Sequence, residues 1–208
     1  MMPRVISSLR AAVIVAGFTA LSALAGAGAA LAATDAASFV SDLGKRAIDV
    51  LTSTGSQQQR EQQFRKLFDE GFDMEALSRF VLGPYWRTAT PQQQQEFQRL
   101  FRDYEVHSYS VRFNEYSGQK LKVTGSRKES DTAELVQSQI QQPDAGKPPI
   151  NVDWRVNKKD GGFKIADVII DGISMAVTER QQFASIIQRN NGQIEALLKL
   201  MRERAGQA

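Results

Sequence analysis

The sequence predicts an α+β fold: a twisted antiparallel four-stranded meander packed against N- and C-terminal helices. Two observations carry this expectation. Apolar residues keep helical spacing from Ala36 to about Gly118, alternate from there to Gly172, and return to helical spacing toward the C-terminus. The connections between the alternating segments are short, which favours antiparallel neighbours.

The first helix, from Ala36 to Leu51, carries Val40, Leu43, Ala47, Val50 and Leu51 on one side, with Asp35 or Ser38 as its start signal. After the turn Ser53-Thr54-Gly55-Ser56, residues 57–72 are rich in Gln, yet Phe64, Leu67, Phe68 and Phe72 fall on one stripe. The Gln run reads as the solvated face of a second helix. Asp73 is the expected N-cap of a short helix with Met74, Leu77, Phe80 and Val81, stopped by Gly83-Pro84. Thr90-Pro91-Gln92-Gln93 is a capping box with Pro at the first helical position. It opens a helix expected to run about 25 residues, with Phe97, Leu100, Phe101, Tyr104, Ser108 and Val111 on one face, and Gly118 closing it.

Four strands follow. Leu121 and Val123 alternate with lysines in the first; Leu135, Val136 and Ile140 mark the second. In the third, Ile150, Val152, Trp154 and Val156 share one face against Asn151, Asp153 and Arg155. Lys158-Lys159-Asp160-Gly161-Gly162 is a hairpin turn into the fourth, which runs from Phe163 to Asp171. Two helices close the chain, one with Phe183, Ile186 and Ile187, the other with Ile194, Leu197, Leu198 and Met201.

Composition bounds the chemistry. The 208 residues include 26 Lys+Arg, 23 Asp+Glu, one His and no Cys, for a formal charge of +3. Without cysteine there are no disulfides, thiolate metal sites or Cys nucleophiles. With His107 alone, the usual two- and three-His metal sites are excluded, and no metal is expected. Arg4 and Arg10 precede a long uncharged Ala- and Gly-rich stretch that ends Ala30-Leu31-Ala32-Ala33. Residues 1–33 therefore read as a cleaved signal peptide, since the stretch is too poor in Leu and Ile for a retained anchor. Its removal leaves 24 basic against 23 acidic residues, so residues 34–208 form one nearly neutral exported domain. A bacterial periplasm suits it best.

Catalytic patterns are scarce. No G-x-S-x-G elbow presents a serine to His107, and no phosphate-loop or dinucleotide glycine pattern occurs. Asp153 and Asp167, on neighbouring strands, are the one conceivable carboxylate pair for a small α+β enzyme, and such an enzyme would show a polar pocket with a raised carboxylate pKa. Basic residues are spread evenly, without the footprint of a nucleic-acid binder. The abundant aromatics build either a solid core or the walls of a ligand cavity, and periodicity does not separate the two.

Two stretches carry a family resemblance. Residues 82–123 hold Trp86 followed by Thr90-Pro91-Gln92-Gln93, an aromatic helix, and Tyr116-Ser117-Gly118-Gln119-Lys120 leading into a strand. Residues 163–202 hold Asp167-Val168, then Asp171-Gly172-Ile173-Ser174, then Arg180 and Phe183 at R-x-x-F spacing. With Asp73, Leu77 and Val81-Leu82-Gly83, these resemble the MlaC family, also called toluene-tolerance auxiliary proteins, periplasmic phospholipid-binding proteins of Gram-negative bacteria. The chain departs from the family pattern at Pro84, at Phe163 and at Glu179, where family members often carry a basic residue, Trp and Tyr respectively.

The resemblance implies a soluble, monomeric shuttle that carries phospholipid between an outer-membrane lipoprotein–porin complex and an inner-membrane ABC transporter with a tethered substrate-binding subunit. It implies no catalytic residue and no cofactor; a hopanoid-like lipid is the alternative cargo. One sixteen-carbon chain left in water costs on the order of 12 kcal/mol, at about 0.8 kcal/mol per CH₂. The carrier must therefore sheath the tails in an apolar cavity, expected at or beyond the upper end of the usual roughly 300–1,000 Å³. On this reading Val152, Trp154 and Val156 form its floor, Phe101, Tyr104 and Tyr109 one wall, and Ile170, Ile173, Met175, Phe183 and Ile187 the other. A purely protein-binding module would instead show no cavity and one large exposed apolar patch.

Overall fold

In the computed structural model, residues 35–111, 113–144 and 146–205 are described. The signal-peptide reading falls on residues 1–33 and lies outside them. Helix α1 (Ala36–Thr52) starts at Asp35, whose carboxylate accepts the Ser38 N–H at 2.7 Å. Helix α2 (Gln57–Gly71) is the Gln-rich segment. Its start is a second capping box, in which Ser56 and Gln59 satisfy each other's backbone N–H groups. Asp73 caps α3 (Met74–Leu82), accepting from Ala76 N–H at 3.1 Å.

Gly83 ends α3 at φ +58°, in a region L side chains avoid, and a Cβ there would meet the Arg180 Nε at 3.0 Å. A single-turn helix, α4 (Tyr85–Thr88), follows that the sequence pattern did not announce. The Thr90–Gln93 capping box opens α5 (Pro91–Ser110). This helix is 20 residues long and stops at Ser110, short of the expected end at Gly118. There the His107 carbonyl accepts both the Val111 N–H at 3.1 Å and the Ser110 hydroxyl at 3.0 Å. A short 3₁₀ turn, Phe113–Glu115, then seats the Phe113 ring edge-on to Phe64 at 5.3 Å, so aromatic packing wins over helix continuation.

Strands β1 (Lys120–Lys128), β2 (Ala133–Gln141), β3 (Ile150–Lys159) and β4 (Gly162–Ile170) form the expected antiparallel meander. A two-residue β5 (Ile173–Ser174) adds a fifth strand, in the order β1-β2-β3-β4-β5. It arises because Asp171 and Gly172, at φ 46° and 84°, turn the chain back on Ile169 and Ile170. Helices α6 (Met175–Arg189) and α7 (Ile194–Ala205) close the chain.

Register decides what each sheet face carries. Val136 pairs with Trp154 and Ser138 with Val152, while Trp154 pairs with Val168 and Val152 with Ile170. A register shift beyond Arg155 lets Ile165 pair with Val156, so Ile165 and Val168, three residues apart, serve the same apolar face. The interior divides into two clusters. Phe97, Leu100, Phe183, Ile187, Leu197 and Leu198 build one among α3, α5, α6 and α7. Val40, Val136, Val156 and Ile165 build the other between α1 and the sheet.

Candidate functional site

An apolar cavity of about 230 Å³ opens where α1, α2 and the end of α5 meet the sheet. The helices contribute Val40, Leu43, Phe64, Phe68 and Tyr109; the strands contribute Ile140, Val152, Trp154, Val168 and Ile170. Its floor is apolar because the one polar edge there is satisfied elsewhere. The Trp154 indole N–H donates to the Ser138 hydroxyl at 2.9 Å, and that hydroxyl donates to the Val152 carbonyl at 2.7 Å. The indole plane is thus fixed with only hydrocarbon facing the hollow.

The space continues in two directions. An open groove of about 370 Å³ shares Gly44, Ala47, Ile140 and Trp154 with the cavity and is rimmed by Glu115, Tyr116, Gln119, Lys120 and Gln142. Inward, a pocket of about 80 Å³ shares Phe68, Phe72, Tyr109 and Val168 with it and ends on Phe101, Met175, Glu105 and Glu179. The stacked rings of Phe68 and Phe72, 4.2 Å between centroids, divide this apolar space. The central cavity is accordingly smaller than the expected range for a ligand pocket, a correction to the sequence expectation. A larger hollow, about 760 Å³, is polar instead: it lies among α3, α5 and the β3–β4 hairpin, where Lys159 pairs with Asp73 at 2.9 Å and Arg79 with Glu75 at 3.0 Å.

Of the residues expected to line the site, Tyr109, Val152, Trp154 and Ile170 meet around the central cavity, and Phe101 and Met175 around its inner end. The others go elsewhere. Val156, on the same strand face as Trp154, is fully buried in the solid core with Val40 and Ile165. Tyr104 looks the other way, into a separate hollow with His107, Asp103 and Arg204. Phe183 and Ile187 fill the helical core; Phe183 stands edge-on to both Phe97 and Phe101 at 5.8 Å. Ile173 is 60% exposed, because the β5 hairpin carries it off the sheet.

What the sequence reading missed is the contribution of the first two helices, above all Val40, Leu43, Phe64 and Phe68. Their stripes were legible, but a stripe does not name the surface it covers. Gly44 is also part of the wall: a Cβ there would stand 2.4 Å from the Leu121 Cδ2, so α1 lies close on β1.

The carboxylate pair proposed for catalysis is not assembled as one. Asp167 accepts from the Ala176 N–H at 3.1 Å, the Ser174 hydroxyl at 2.7 Å and Arg155 at 3.2 Å, so its oxygens are occupied in holding the start of α6. The carboxyls that do rise are Glu105, which burial and the charge of Glu179 push up to about 8, and Glu179, raised by burial. Among the described residues, no group of three or more His, Asp or Glu side chains could hold a metal ion, and no helix is long and apolar enough to cross a membrane.

Comparison with known proteins places this geometry in a family. The family model described as MlaC protein matches residues 32–203. Toluene tolerance protein ttg2D of Pseudomonas putida is 27% identical over 124 residues, 59% of this chain and 57% of that one. The intermembrane phospholipid transport system binding protein MlaC of Haemophilus influenzae is 25% identical over 130 residues, 61% of this chain and 59% of that one. The matched part of the chain thus spans under two thirds of the length of both curated relatives. A phospholipid-binding protein from Ralstonia solanacearum, solved in complex with a phospholipid, superposes with a TM-score of 0.73 at 25% identity, covering 83% of this chain and 98% of that one. The match to the family model extends over most of the sequence, and the chain belongs to the MlaC family.

Proposed function

We propose that the protein is a phospholipid carrier that binds its cargo by the acyl chains in the apolar cavity between α1, α2 and the sheet. The observation that carries this is the continuity of the apolar space. The 370 Å³ groove, the 230 Å³ cavity and the 80 Å³ inner pocket share lining residues, so they adjoin one another in series. A solid-cored binding module has no use for such a series. Tyr116, Gln119, Lys120 and Gln142 rim the groove, and the polar headgroup stays there in water.

The cavity must widen to sheath two tails. The aliphatic side chains of α1 and the aromatic rings of α2 that line the cavity are the parts that give way. In this reading the chain works in the periplasm after loss of residues 1–33, as an untethered monomer. It takes lipid from one membrane complex and gives it to another, an outer-membrane assembly and an inner-membrane ABC transporter being the two ends. It performs no covalent chemistry.

Native mass spectrometry of the protein purified gently from a periplasmic extract tests the proposal. The expected spectrum shows the polypeptide plus the mass of a diacyl phospholipid, released on solvent extraction. A hopanoid mass would redirect the cargo assignment, and a bare polypeptide under gentle conditions would sink the carrier reading.

A further inference from the structure

The inner end of the cavity is not hydrocarbon. Glu105 from α5 and Glu179 from α6 both line the 80 Å³ pocket, otherwise walled by Leu77, Phe101, Met175 and Tyr109. Glu105 Oε1 and Glu179 Oε2 are buried and accept no hydrogen bond. No basic side chain lines this pocket. Buried carboxylate oxygens without partners are costly when ionised, and two such groups in one pocket cannot both be charged.

We propose that cargo binding is coupled to a proton held by the Glu105–Glu179 pair, so that the loaded carrier is protonated there and loss of that proton weakens its hold on the lipid. The inference rests on the carrier reading and adds a regulation of the same site. An acyl chain that reaches Phe68, Phe72 and Val168 fills the space next to the pair and strips its remaining solvation. The neutral pair tolerates this; a charge does not.

The surroundings point the same way. Burial first, then the Glu179 charge, pushes Glu105 up to about 8; burial raises Glu179, with Arg204 of α7 opposing. Tyr109 on α5 and Asp167 on β4 line the pocket with them, and Tyr104, which opens on the neighbouring hollow, lies within electrostatic reach. Tyr104 is raised above its ordinary value by burial and by the two glutamates, so it stays neutral. Asp167 is engaged by Arg155, Ser174 and the Ala176 N–H. From α2 and α3 come only Phe68, Phe72 and Leu77.

The sign follows from linkage. If loading raises the pair's proton affinity further, cargo affinity is flat below the lipid-free titration point. It falls by up to about tenfold per pH unit above that point. The window opens near pH 8, where Glu105 loses its proton in the lipid-free protein.

The experiment is equilibrium uptake of pyrene-labelled phosphatidylglycerol from phosphatidylcholine vesicles between pH 6 and 10, a range in which neither headgroup titrates. Native protein, Glu105→Gln and Glu179→Gln are compared, and circular dichroism confirms the fold at each pH. For the native protein, affinity is expected to be level to pH 7.5 and to drop about fivefold between pH 8 and 9. For Glu105→Gln the ratio of affinities at those two pH values is expected to fall below about twofold. In Glu179→Gln, with the neighbouring charge removed, the drop starts at lower pH. A native profile flat to pH 10, or an undiminished drop in Glu105→Gln, overturns the coupling. Absence of uptake by the native protein at pH 6 overturns the carrier reading itself.

Discussion

Asp167 sits at the start of α6 with its oxygens shared among a backbone N–H, a hydroxyl and a guanidinium. From the sequence it was a candidate acid, because a strand carboxylate near Asp153 fits a two-carboxylate mechanism. In the fold it is 4% exposed and holds three elements together, β3 through Arg155, β5 through Ser174 and α6 through Ala176. Removing one partner from a buried network leaves the others unsatisfied, and that penalty exceeds the net worth of the bonds themselves. Asp167→Ala is therefore expected to lower the unfolding free energy by roughly 2–4 kcal/mol in urea denaturation. A loss below about 0.5 kcal/mol would mean that water or a repacked side chain replaces it, and that the residue is kept for another reason. Glu179 tells the complementary story. The sequence marked it as a departure from the family pattern, but only the fold shows that it lines one pocket with Glu105 and Met175, where partial burial raises its carboxyl.

At the scale of elements, strand β4 separates filled core from hollow. Ile165, at 0% exposed, closes the core with Val156, and Val168, past the register shift, lines both the central cavity and its inner end. Alternation along the strands made the apolar face of β3 legible, and Val152 and Trp154 of that face line the cavity. It could not show that Val156, two residues on, meets α1 without a gap. The distinction depends on where a helix crosses the sheet, a tertiary fact that no local period encodes. For the same reason Phe183 and Ile187 were read as walls: α6 does present an apolar stripe, but these two residues enter the core that α6 shares with α3, α5 and α7. The difference between hollow and core is measurable by adding the same bulk to each. Val168→Trp is expected to fill the cavity, cutting phospholipid uptake at least about tenfold while shifting stability by no more than about 1 kcal/mol. Val156→Trp, in the packed core, is expected to cost about 1–3 kcal/mol or more. Full uptake by Val168→Trp would place the cargo outside this cavity.

The described residues form two hydrophobic cores, and the hollow borders both of them. The helical core binds α3, α5, α6 and α7 into one body, in which Arg202 of α7 reaches back to Glu96 of α5 with two bonds of 2.7 and 2.8 Å. Helix α1 belongs to the other core and packs on β1, β2 and α2. Its N-terminal half is anchored by Ala36 and Val40, both essentially inaccessible, whereas Ala47 borders the cavity and the groove, and Ile48 and Leu51 border the groove. Each core is stabilised by its own burial, and α1 spans the gap with part of its apolar face unfilled. Local opening is cheapest where the fewest apolar contacts are broken. In protein stripped of lipid, amides of α1 from Leu43 to Thr52 should therefore exchange with deuterium well before those of α7. An acyl chain in the cavity supplies the contacts that α1 lacks, and a ligand present at about 100 times its Kd adds roughly 2.7 kcal/mol to any opening that releases it. Loading should thus slow exchange in α1 until it approaches that of α7. An α1 already as protected as α7 without lipid, or a difference that persists after loading, would show that the cargo leaves this helix untouched.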